Sequence, residues 1–179
     1  MRPRSEKKTS RYLLDTSIVS FYSFLVSKKL LQELRQNKPF RSITQEAVLE
    51  LMKTTDFIRR RLARALDPHD LSLQQYNVLR ILRGAGSDGL PTLEVAARTI
   101  EETPGITRLL DKLEGKRLVR RERCSADRRQ VLCWITPSGE ELLASLDRQM
   151  DQSVNGVFDR LQPEQLRTMI DWLEQIRLE

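Results

Sequence analysis

Thr103-Pro104-Gly105-Ile106-Thr107-Arg108-Leu109-Leu110-Asp111-Lys112-Leu113-Glu114 is followed by Leu118-Val119-Arg120-Arg121-Glu122-Arg123-Cys124 and then by Gln130-Val131-Leu132-Cys133-Trp134-Ile135. The first run spaces Ile106, Leu109, Leu110 and Leu113 by threes and fours, as one side of a helix does. Thr103 offers an N-cap, and Pro104 suits a first helical position, where its missing N–H costs little. After Leu118 the period changes. Residues 119–124 and 130–135, with their β-branched and aromatic side chains, read as two short strands. The polar turn Ser125-Ala126-Asp127-Arg128-Arg129 joins them into a hairpin with a charged tip.

Upstream, Val48, Leu51, Thr55, Ile58, Leu62 and Ala65 form one stripe of a helix over 42–66, which Pro68 stops. Ser72-Leu73-Gln74-Gln75 is a capping box opening a second helix with Tyr76, Leu79, Ile81 and Leu82 on its apolar side. Gly84, Gly86 and Gly89 punctuate a loop. Pro91-Thr92 offers an N-cap for a short helix holding Leu93, Ala96, Ala97 and Ile100. Downstream, Thr136-Pro137 repeats the cap-plus-proline start, with Glu140 and Glu141 where the helix dipole favours acids. The stripe of that helix runs from Leu142 through Leu146, Met150 and Val154 to Leu161, and Gln162-Pro163-Glu164 starts a last helix.

The expected fold is mainly α with a small β-hairpin wing: a winged helix-turn-helix over 67–136, flanked by dimerisation helices at 42–66 and 137–179. Three long amphipathic stretches offer more apolar stripe than so small a unit covers, which favours a homodimer. Residues 1–41 form a basic N-terminal extension. Leu14, Ile18, Phe21, Leu25, Leu30 and Leu34 can stripe an extra dimer or packing helix there, with a loosely ordered segment as the second reading, and Arg2, Arg4, Lys7, Lys8 and Arg11 precede it. A basic head before an apolar run also mimics a signal peptide, but Asp15 lies inside the run and no small-residue cleavage site follows.

Composition removes whole classes of function. The chain has 179 residues, too few for a large multidomain enzyme. Its longest apolar stretch, 12–26, falls short of the roughly 20 residues a spanning helix needs. Two cysteines and one histidine do not make a zinc site, which takes about four N or S ligands. His69 lies in the turn Asp67-Pro68-His69-Asp70 and reads as a solvated loop residue. No nucleophile–base pair, Walker sequence or dinucleotide fingerprint is present, so the expectation is a binding protein that is not an enzyme and takes no cofactor.

Charge is concentrated. Residues 1–41 carry ten Lys/Arg against three Asp/Glu, and 103–129 carry nine against four, whereas 42–102 is −1 and 130–179 is −5. Basic segments on a near-neutral body suit a partner made of phosphates, because neutralising them releases counterions. The second helix of a helix-turn-helix presents its N-terminal turns to the major groove, where Thr103, Thr107, Arg108 and Lys112 can reach base edges. Pro104 and Gly105 keep that helix end bare enough for close approach. The hairpin, with Arg123, Ser125, Asp127, Arg128 and Arg129, reaches along the backbone toward the minor groove. Double-stranded DNA is the expected partner.

The run 103–114, Leu118-Val119-Arg120-Arg121, Asp127-Arg128-Arg129 and Ile135-Thr136-Pro137-Ser138-Gly139 together resemble the MarR (multiple antibiotic resistance regulator) family over residues 42–179. The resemblance implies a triangular dimer with two wings. It implies that Arg129 enters the minor groove and that Asp127 orients it or a neighbouring wing arginine. It further implies a cytoplasmic transcriptional repressor on a pseudo-palindromic operator, released by a small aromatic or lipophilic ligand between the dimer helices and the DNA-binding lobes. The apolar side of the 42–66 helix, with Leu51, Ile58 and Leu62, faces that region, although dimer core is the competing role for those side chains.

The chain departs from the family in one place. Members usually carry glycine just before the Leu-Val that begins the wing, and here Arg117 stands there, with the glycine at Gly115. Either the helix ends two residues early or Arg117 is left-handed, at about 1 kcal/mol. Cys124 and Cys133 open a different regulatory reading, thiol-based redox sensing, with Arg120, Arg121 and Arg123 near Cys124. If residues 124 and 130 flank the turn as partners, Cys133 pairs near Arg121, and the two thiols are not opposite one another. A helical adaptor that binds no DNA is the third reading.

Overall fold

A computed structural model of the chain describes residues 28–101, 105–125 and 127–178. The chain divides into two compact units between Asp56 and Phe57. The expected basic head and the apolar residues before Leu30 lie outside the described residues, as do Thr103 and Pro104.

In the first unit, α1 (Lys28–Glu33) buries Leu30, and Lys53 lies 4.0 Å from Glu33. The long helix α2 (Ile43–Leu66) begins there. Its start is capped by Ser42, whose hydroxyl accepts from the Gln45 N–H at 3.1 Å, while the Gln45 side chain accepts from the Arg41 N–H at 2.8 Å. The first turns of α2 leave Ile43, Val48, Leu51 and Met52 exposed.

The second unit is built around a core of Leu66, Val78, Leu79, Leu82, Val95, Leu110, Leu113, Val119, Cys133, Leu143 and Leu146, all essentially removed from water. α2 ends at Leu66, where the Asp67–His69 turn carries the proline. α3 (Leu73–Ala85) opens on the Ser72/Gln75 capping box read from the sequence, with both reciprocal bonds present. Then come β1 (Leu90–Pro91), α4 (Thr92–Ala97), α5 (Ile106–Gly115), β2 (Val119–Arg123), β3 (Val131–Ile135), α6 (Pro137–Asn155) and α7 (Pro163–Ile176). The sheet is antiparallel in the order β1-β3-β2. Arg121 pairs with Cys133, the expected register, and both cysteines are free thiols.

Six readings need correction. Gly84 lies inside α3, so the glycine-marked loop starts only at Gly86. Thr92 is not an N-cap: Pro91 takes that place, and the Thr92 hydroxyl donates instead to the Val131 carbonyl at 3.2 Å, fastening α4 to β3. α4 ends at Ala97, so Ile100 is not helical and is 89% exposed, and Leu93 is 82% exposed; Val95 is the buried residue of the helix. α5 starts at Ile106 behind Gly105, which is the N-cap at φ 104°, later than a start at Pro104. β1 was not anticipated, being two residues long with a proline. α6 stops at Asn155, short of Leu161, because Gly156 begins a series of tight turns; a Cβ on Gly156 would lie 2.2 Å from the Arg61 guanidinium.

Arg117 resolves the family departure by taking both options: α5 ends at Gly115 and Arg117 is left-handed at φ 60°. The Arg117 N–H donates to the Glu114 carbonyl at 2.8 Å and the Leu118 N–H to the Leu113 carbonyl at 2.9 Å. This is the double bond of a Schellman ending, with arginine where glycine is favoured. Arg117→Gly is therefore expected to stabilise the protein by about 1 kcal/mol, raising Tm by about 2–4 °C for a chain of this size. A lower Tm for the variant would show that the arginine side chain outweighs its backbone strain.

Candidate nucleic-acid interface

α5 is amphipathic in the strict sense that its buried and exposed residues segregate. Leu109, Leu110 and Leu113 are buried, while Thr107, Arg108, Asp111 and Lys112 face solvent. The leucines seat the helix against α3, α4 and β2. Its N-terminal end begins from the exposed Gly105, where nothing lies within 4 Å of a would-be Cβ. A backbone so unobstructed lets a phosphate or base approach the free N–H groups of the first turn.

The hairpin tip is built by Asp127. Its carboxylate accepts from the Arg129 backbone N–H and from Arg129 Nε, both at 3.1 Å, and from Gln130 Nε2 at 3.4 Å. These bonds, led by the Arg129 backbone N–H, hold the Asp127 carboxyl below its ordinary value. Cys124 and Gln130 close the ladder through a 3.0 Å backbone bond. The Arg129 side chain remains 92% exposed while tethered, so Asp127 orients it without covering it. Ser125 and Arg128 are exposed beside it.

Every acidic residue of 103–129 is engaged with a basic one. Asp111 and Glu114, a turn apart on α5, both receive Arg121 from β2, with Arg121 Nη2 2.6 Å from Asp111. Glu122 pairs with Arg120, whose guanidinium also lies 4.1 Å from the centre of the Trp134 ring. Asp127 takes Arg129. Lys116 turns away to Asp70, donating to its carboxylate at 2.8 Å and also to its carbonyl. Among the described residues, Arg108, Lys112, Arg117, Arg123 and Arg128 make no ion pair. Five cations thus stand uncompensated on the helix, the hairpin and the turn between them, which is how the local excess of positive charge is physically expressed.

Arg121 has a structural role that its place in the sequence does not announce. Its Nε and Nη2 both bond Glu114, and with Asp111 they raise its pKa further, tying the helix to the hairpin. The signal was present in principle: two acids three apart on a helix, then a basic residue on the following strand. The cysteines differ in environment. Cys133 is fully buried beside Thr92, whose hydroxyl lies 3.6 Å from its sulfur, and burial pushes its thiol pKa up, away from the reactive thiolate. Cys124 is half-buried at the hairpin tip. Among the described residues, no group of three or more Cys, His, Asp and Glu is placed to hold a metal ion, and no helix is long and apolar enough to cross a membrane.

Comparison with known proteins gives a consistent result. A family model described as MarR family matches residues 69–130. The uncharacterized HTH-type transcriptional regulator YdgG of Bacillus subtilis is 30% identical over 123 residues, covering 68% of this chain and 79% of that protein. A MarR transcription factor from Planctomyces limnophilus has a solved structure that is 36% identical, with a TM-score of 0.60, covering 76% of this chain and 98% of that one. Sco3205, a MarR family regulator from Streptomyces coelicolor solved in complex with DNA, shares the fold at a TM-score of 0.69 and 23% identity, covering 79% of this chain and 91% of that one. On the fold, the family match and identities that span most of two relatives, the chain belongs to the MarR family of transcriptional regulators.

Proposed function

We propose that this regulator binds double-stranded DNA as a homodimer, with α5 in the major groove and the β2–β3 hairpin against the minor groove. The observation that carries it is the uncompensated set Arg108, Lys112, Arg117, Arg123 and Arg128, left when the acids of the same segment are all engaged elsewhere. Residues 67–136 are the DNA-binding core in this reading. The dimer draws on the exposed apolar residues outside it: Ile43, Val48 and Met52 in the first unit, and Ile170, Trp172 and Ile176 on α7 in the second. The protein works in the cytoplasm as a repressor of a pseudo-palindromic site, and a phenolic or lipophilic anion releases it by binding one dimer conformation better than the other, a difference typically of about 1–3 kcal/mol.

A gel shift against the DNA upstream of its own gene, at low salt and with competitor, tests the reading; no retardation would sink it. Two variants separate the roles within it. Arg129→Ala is expected to weaken all duplexes broadly, since the minor groove carries little sequence information. Arg108→Ala is expected also to relax base preference at one position per half-site by about 1–3 kcal/mol. Equal losses on specific and random DNA for Arg108→Ala would refute base readout by that residue.

A further inference from the structure

Four parts of the fold converge around two carbonyl groups at the end of α5. The Arg117 carbonyl accepts from the Thr136 hydroxyl at 2.7 Å, and the Leu118 carbonyl accepts from the Thr136 backbone N–H at 3.0 Å. The same Thr136 oxygen accepts from the Gly139 N–H at 3.1 Å, as the N-cap of α6. Thr136 directly follows β3, and Leu118 directly precedes β2. One side chain therefore joins the C-terminus of α5, the root of the hairpin and the first turn of α6.

Arg117 makes this junction different from an ordinary helix ending. A left-handed arginine sits in a conformation that most residues avoid, and such a conformation persists only where its surroundings over-determine it. The two Schellman bonds hold the N–H side of the turn, and the Thr136 hydroxyl holds the carbonyl side. The direction in which the chain leaves α5 is set at that carbonyl, and the hairpin begins two residues later, at Val119.

From this geometry we infer that Thr136 is a positioning residue for DNA readout. Its hydroxyl fixes the angle between α5 and the hairpin and ties that angle to α6. The inference rests on the DNA-binding reading above and adds to it a residue that touches no DNA. Arg108 on α5 and Arg129 at the hairpin tip must meet one duplex in a single register, so a loosened root lowers discrimination before it lowers overall attraction, which depends on charge alone.

The test uses the full chain. Duplexes are first selected from a random pool by the wild-type protein, and binding is then measured to the selected duplex and to a shuffled one. Measurements are made at a temperature where circular dichroism shows each protein fully folded. Thr136→Val keeps the shape and loses both hydroxyl bonds; it is expected to lose about tenfold of the preference for the selected duplex. Affinity for the shuffled duplex should stay within about twofold, because the phosphate contacts are intact. Thr136→Ser, which keeps the hydroxyl, is expected to retain the wild-type preference. Should Thr136→Val fail to fold, it is combined with Arg117→Gly, which removes the strain, and the double variant is compared with Arg117→Gly alone; the loss of preference is expected to persist.

An unchanged preference in the valine variant overturns the inference, and so does an equal loss on both duplexes, which marks a purely structural role. Failure of the wild-type chain to enrich any sequence overturns the DNA-binding reading itself, an outcome distinct from either.

Discussion

Gly139→Ala is expected to lower the unfolding free energy by about 3 kcal/mol, at the upper end of what overpacking a close-packed site costs, and to reduce Tm by about 6–12 °C. Helix propensity alone predicts the opposite sign, since alanine is favoured over glycine in a helix by about 1 kcal/mol. The steric term wins because a Cβ at this position would lie 2.4 Å from the Leu118 carbonyl oxygen and 2.7 Å from Ile135 Cγ1. The carbonyl is backbone already engaged by the Thr136 N–H, so it has no side-chain freedom with which to yield. Gly115, also helical, has nothing within 4 Å of its would-be Cβ and supplies the control. Gly115→Ala is expected to be neutral or stabilising by up to about 1 kcal/mol. Thermal and urea melts of the two variants decide the matter; a Gly139→Ala protein that melts with the wild type would mean that α6 can slide away from the hairpin root.

The second large effect concerns the seat of α5. Leu110→Ala is expected to cost about 2–5 kcal/mol, the range for removing a fully buried leucine from a core that collapses only partly. Leu110 is completely buried on the opposite side of the helix from Arg108 and Lys112. Loss of its side chain therefore loosens the surface on which the basic residues ride. Leu93→Ala, on the other helix of the pair, removes as many atoms from a site 82% exposed and is expected to change stability by less than about 0.5 kcal/mol. Denaturant titration distinguishes them, and equal effects would mean that Leu93 is covered in solution by something other than its own unit.

The contrast between those two leucines shows where periodicity is informative. In α5 the buried positions recur over enough residues to define a face. α4 has only six residues, so Leu93, Ala96, Ala97 and Ile100 formed a plausible stripe on a helix that stops before Ile100. Caps are legible where the oxygen belongs to Ser72 or Thr136, because those residues bond their own helix; Thr92 looks like a cap in sequence, but its hydroxyl bonds across to β3, a partner that only tertiary structure supplies. The hairpin register followed from turn length, whereas β1 has too few residues to carry a pattern. At the interface, the residue types on α5 and the hairpin were readable, but which cations are free was not. That division depends on Arg121 finding Asp111 and Glu114, and on Lys116 finding Asp70, 46 residues away in the chain.

Trp134 gives the hairpin an optical signature. Its indole N–H donates to the Ser87 carbonyl at 3.0 Å, its ring carries the Arg120 guanidinium on one face, and Gly89 leaves room for it where any Cβ would come within 2.4 Å. The chain has only one other tryptophan, Trp172, which is 62% exposed on α7. The two indoles therefore sit in different dielectric surroundings, one on β3 of the hairpin and one on α7. With Trp172 replaced by phenylalanine, the emission excited selectively from tryptophan comes from a single indole beside a cation and a glycine, and the hairpin carries its own reporter without any attached dye.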